Sequence, residues 1–119
     1  MGFLERLRTA NIERDKEVFK DTGKWSNMQW GCAIAGEVGE LCNILKKQER
    51  GDSFYNDNAC FSEIAPIGNN HFYIEVSKEI ADILIYLDIF CHINNINIEM
   101  AVTSKFNEVS KRVGSTVTL

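Results

Sequence analysis

Apolar residues recur at three- and four-residue spacing in four stretches of this chain, and Gly, Asn or Ser punctuates each of them. Between Phe3 and about Lys20, Phe3, Leu7, Ala10 and Val18 with Leu4, Ile12 and Phe19 form a broken helical stripe, and Gly23 marks its stop. Ser26-Asn27-Met28-Gln29 reads as a capping box opening a second helix over roughly 27 to 50, with Ile34, Val38, Leu41 and Leu45 on one face. Lys46, Lys47 and Arg50 suit the negative end of that helix, and Gly51 suits the left-handed position after it. A third helix, about 72 to 94, is apolar almost all round from Ile80 to Ile93, which predicts a central place and another copy of the chain against it. Asn97 caps a last helix whose Val102, Phe106, Val109 and Val113 repeat until Gly114, and residues 115–119 are expected to fray. The fold class predicted is all-α, with four helices.

Residues 51 to 71 break the pattern. Asn56, Asn58, Gly68, Asn69, Asn70 and Pro66 mark a loop, while Phe54, Tyr55, Phe61 and Ile64 make it too apolar for a free linker. An ordered excursion or lid is expected there.

Charge inside two of the apolar helices is the chemical signal. Glu37 and Glu40 lie three residues apart, as do Glu79 and Asp82, and that spacing leaves the members of each pair about 60° apart on one helix face. Four like charges in apolar helices repel one another and resist desolvation, so they call for a counter-charge. All four are hard oxygen ligands with no His or Cys at helical spacing beside them, which favours Mg²⁺ or Mn²⁺ over zinc or a thiolate-bound metal. Isolated acidic pairs are ordinarily solvated, but two pairs in apolar helices shift the balance toward a site. Gly31, Gly36 and Gly39 each cost the second helix about 1 kcal/mol relative to Ala, so the close approach of another helix or of a ligand's phosphates is expected to offset them. His92 is read as a core or edge residue and His71 as a loop residue.

Length and composition set the bounds. A chain of 119 residues fits one domain, 1–119, and its 45% hydrophobic and 25% charged content is that of a soluble globular protein. No apolar run approaches the ~20 residues of a membrane span, and Met1-Gly2-Phe3-Leu4-Glu5-Arg6 offers no signal core, so no membrane partner and a cytoplasmic location are expected. Cys32, Cys42, Cys60 and Cys91 form no C-x-x-C, and the three in helical stretches are read as small buried hydrophobes. A net charge of −4 argues against a nucleic-acid polymer as partner.

With these residues in view, the chain resembles the MazG-like, all-α nucleoside triphosphate pyrophosphohydrolases. The resemblance rests on Gly36-Glu37-Val38-Gly39-Glu40-Leu41 as an E-x-x-E block, Glu79-Ile80-Ala81-Asp82 as an E-x-x-D block, and Lys105-Phe106-Asn107 in the last helix. It implies a four-helix bundle completed by oligomerisation, as a homodimer or homotetramer. It also implies Mg²⁺-dependent cleavage of a nucleoside triphosphate between its α and β phosphates, giving a monophosphate and pyrophosphate. Glu37, Glu40, Glu79 and Asp82 would hold metal, with Glu37 or Glu40 also accepting a proton from water. Lys105 and Asn107 would meet substrate, and Tyr86 and Trp30 would pack on ribose or base. The chain departs from the family in a longer segment between the blocks and in Val109, where many members carry arginine, a place that Lys111 or Arg112 would fill. The rival reading is a non-catalytic helical oligomer or regulatory protein that binds a cation or nucleotide without turnover.

Overall fold

A computed structural model describes residues 1–20, 22–52 and 71–119. The expected loop or lid at about 51–71 lies outside the described residues except for Gly51, Asp52 and His71. Among the described residues the chain is all-α: α1 (Phe3–Arg14) runs into a π-helical turn (Asp15–Phe19), a 3₁₀ turn (Thr22–Lys24) leads into α2 (Asn27–Glu49), and α3 (His71–Ile93) and α4 (Ile98–Val113) follow. None of these helices is long and apolar enough to cross a membrane.

Local chemistry sets the helix ends. At α2 the Ser26 hydroxyl accepts a hydrogen bond from the Gln29 amide at 3.1 Å, and Gln29 Oε1 accepts one from the Ser26 amide at 2.8 Å. This is the reciprocal box its sequence predicts. The other end closes through Gly51 at φ 78°, whose amide donates to the Gln48 carbonyl, while the Asp52 amide donates to Lys47. α4 starts on Asn97, whose side-chain oxygen accepts from the Met100 amide at 3.0 Å, and stops at Gly114, also at φ 78°. The helical path that begins with α1 ends at about Lys20, as its sequence predicts. Lys20, not Gly23, turns left-handed at φ 59°, its amide closing the π turn on the Asp15 carbonyl at 2.7 Å.

The described chain divides into two compact units, Met1–Gly23 with Asp88–Leu119, and Lys24–Leu87, so α3 contributes to both. In the first unit, Asp88 is 1% exposed, the most buried side chain described. Arg8 of α1 donates to its Oδ1 through Nε at 3.0 Å and lies 2.9 Å away through Nη2, and Asn11 donates to Oδ2 at 2.9 Å. Arg14 in turn donates to Asn11 at 3.1 Å. A buried carboxylate persists only when donors satisfy it, and α1 supplies them. In the same unit residues 115–119, expected to be loose, make hydrogen bonds to α4. Asn107 accepts from the Leu119 amide at 2.9 Å and donates to the Leu119 carbonyl at 3.3 Å, fastening that segment to α4.

In the second unit α2 and α3 meet antiparallel. Trp30, near the start of α2, packs edge-on against Tyr86, near the end of α3, while Glu37 and Glu40 further along α2 meet Glu79 earlier on α3. The inward line of α2 is Trp30, Glu37, Leu41 and Ile44, with Trp30 and Ile44 buried; Val38 and Leu45 of the predicted stripe are exposed. α3 is likewise not sheathed on all sides, since Ile80 and Leu87 are exposed. Among the described residues nothing lies within 4 Å of where a Cβ would stand at Gly31, Gly36 or Gly39, so no described helix approaches them closely. Cys32 and Cys42 are exposed rather than buried, and Cys60 lies outside the described residues.

Candidate metal centre

The antiparallel register of α2 and α3 gathers carboxylates. Glu37, Glu40 and Glu79 each offer an oxygen, and these three atoms lie within 4.8 Å of one another. Mg²⁺ binds oxygen at about 2.0–2.1 Å, so its opposed ligands stand about 4.2 Å apart. The spacing of the three oxygens is close to what such an ion spans. Asp82, one helical turn from Glu79, is exposed and stands outside this triad, yet its charge is felt within it.

Electrostatics mark Glu79 as the strained member. Burial pushes its carboxyl up to about 7, and a hydrogen bond with Glu40 and the charges of Glu40, Glu37 and Asp82 push the same way. Glu37 is raised too, first by burial and then by the charges of Glu40 and Asp82, while a hydrogen bond with Glu79 works in the opposite sense. Glu79 Oε2 is buried and receives no hydrogen bond from the described residues. A carboxylate oxygen without a donor, in a cluster of like charges, is chemically suited to a positive partner such as a divalent cation. The donor set is all oxygen, which fits Mg²⁺ or Mn²⁺.

The other predicted contacts are distributed differently. Trp30 is buried, with Trp25 packed on it at 4.7 Å between ring centroids and Tyr86 edge-on at 6.0 Å. Tyr86 is half-buried. Lys105 and Asn107 stand on α4, in the unit that does not contain the carboxylates. Lys105 is exposed and pairs with Glu108 at 2.8 Å, and it edges an apolar groove of about 510 Å³ with Val102, Phe106 and Val109. Asn107 is engaged by Leu119. Lys111 and Arg112 are exposed in the last turn of α4.

Two features were not foreseen. Asp88 was visible as a charge in an apolar run, but nothing local to it pointed to Arg8 and Asn11, far away in sequence. Trp25 precedes the Ser26 cap by one residue and falls outside any periodic stripe, so periodicity passes over it. Compared with known proteins, the chain matches no family model, no curated protein and no solved structure.

Proposed function

We propose that this protein is a Mg²⁺-dependent nucleoside triphosphate pyrophosphohydrolase of the MazG-like kind, cleaving between the α and β phosphates, and that it works as a cytoplasmic homodimer or homotetramer. The observation that carries the proposal is the convergence of Glu37, Glu40 and Glu79 from two helices, one buried oxygen of Glu79 having no donor among the described residues. The sequence resemblance adds the reaction.

Mg²⁺, or Mn²⁺ in its place, would screen the charge of the triphosphate and make water more acidic. Glu37, Glu40 and Glu79 would hold it, with Asp82 one turn away as the fourth ligand of the resemblance. Phosphoryl chemistry needs positioning and charge more than covalent help, and ligands fixed on two helices provide positioning. Burial raises the Glu37 carboxyl, and Glu37, or Glu40 one turn away, would take the proton from the attacking water. Lys105 and Asn107 are the phosphate contacts that the resemblance supplies. Incubation with a mixed nucleotide pool and Mg²⁺, followed by a pyrophosphate assay, tests the reading. Release is expected, and Glu40→Ala or Asp82→Ala should abolish it while helicity by circular dichroism is retained. Mg²⁺ binding without release would instead assign the chain to the non-catalytic binders.

A further inference from the structure

Within the unit formed by Met1–Gly23 and Asp88–Leu119, two recesses of about 350 and 460 Å³ lie along α1. Arg8, His92 and Asn95 line both, so the two join at these side chains. Asp88 and His92 are one turn apart on α3, and Asn95, left-handed at φ 54°, donates its backbone amide to the His92 carbonyl at 3.2 Å. Arg8 is fixed before any ligand arrives. Asp88 holds its Nε and Nη2, which leaves the two hydrogens of Nη1 uncommitted among the described residues while the side chain is still 28% exposed. The side chains of His92 and Asn95 likewise make no hydrogen bond or ion pair among the described residues. Donors held in place by the fold and still short of acceptors are preorganised for an anion.

Charge decides which anion. The Arg8 cation is already shared with buried Asp88, Glu5 and Glu99 line the smaller recess, and Asp15 offsets Lys16 in the larger. With no surplus of positive charge, a phosphate finds too few cations, whereas a singly charged carboxylate needs only the donors present. The larger recess adds an apolar wall beside Arg8, made by Ile12, Ile89 and Ile93. We propose that this groove binds a small monocarboxylate with an apolar body. Its carboxylate accepts from Arg8 Nη1, an imidazole N–H of His92 and the Asn95 amide, and its hydrocarbon lies on Ile12, Ile89 and Ile93. The occupant bridges α1 and α3 inside one unit, and the site is independent of the nucleotide reading, whose Glu37, Glu40 and Glu79 belong to the other unit.

Titration of the ¹⁵N-labelled protein with hexanoate in EDTA tests this, followed by NMR at the Arg8 Nε–H, the Asn95 side-chain amide and the backbone amides of Ile89 and Ile93. These signals are expected to move together and saturate at millimolar hexanoate, and affinity should climb about threefold per methylene from butyrate through pentanoate to hexanoate. Inorganic phosphate and hexylamine should move none of them in a saturable way. His92→Ala removes an exposed side chain that the fold does not use, so the variant should keep its helicity and bind hexanoate about 2- to 10-fold more weakly. Arg8→Lys keeps a cation for Asp88 but gives up Nη1, and should lose the response; if that variant loses helicity, His92→Ala and the chain-length series decide. No saturable movement at tens of millimolar hexanoate, affinity indifferent to chain length, an equal response to phosphate or hexylamine, or undiminished binding by His92→Ala would each overturn the proposal. Neither nucleotide nor Mg²⁺ is present, so the result stands whatever the pyrophosphate assay returns.

Discussion

Glu79 carries a carboxyl that ordinarily titrates at 4.5 and here is pushed up to about 7. Between those values the folded chain keeps a proton that the unfolded chain has released, so stability falls as pH rises through this window. The metal-free protein should therefore melt at lower temperature at pH 8 than at pH 5. Glu79→Gln should flatten that slope and raise the melting temperature at pH 8, and melts in EDTA across the range check both. A slope unchanged by the substitution would detach the effect from Glu79. Asp88 is the opposite case, a carboxylate whose donors are already in place. Asp88→Ala leaves Arg8 and Asn11 without their carboxylate partner and should cost about 2–4 kcal/mol in urea unfolding, against less than about 0.5 kcal/mol for the exposed Asp82→Ala. Both carboxylates were visible as charges in apolar runs, and their local spacing placed Glu79 toward α2. It could not place Asp88, whose partners sit on α1 and are brought near only by the fold.

The helices show why ends were easier to read than faces. Ser26, Gln29, Asn97, Gly51 and Gly114 act within a few residues of themselves, so their caps appear in the structure where the sequence puts them. Faces depend on what lies opposite. Leu45 and Val38 scored as core on α2, yet Glu37 sits on the buried line between Trp30 and Ile44, and a carboxylate there hides that line from any hydrophobic pattern. The glycines of α2 give the element its own test. With open space at each Cβ position, Gly36→Ala and Gly39→Ala should each stabilise the fold by about 1 kcal/mol. If the space instead serves the phosphates of a substrate, pyrophosphate release should fall in the same variants even as their melting temperatures rise. A loss of stability would show that something crowds those positions.

Among the described residues few apolar side chains are buried. Trp30, Ile44 and Ile74 are the buried hydrophobic residues among those described, while Ile80, Val102, Phe106 and Val113 are exposed, the last three in the one stripe that α4 repeats most regularly. Burial at roughly 25 cal/mol per Å² makes such surface worth covering, and a second copy of the chain is the partner always present. Light scattering at micromolar concentration should find a dimer or larger, and a clean monomer would count against the bundle. The antiparallel meeting of Glu37 and Glu40 with Glu79 has a further consequence. A cation held there would tie together two helices separated by about twenty residues of sequence, and so would act as a reversible cross-link between them. Hydrogen–deuterium exchange should then report it: on adding Mg²⁺, amides in the middle of α2 and in the first half of α3 should slow together, those of α1 and α4 should keep their pace, and EDTA should undo the change.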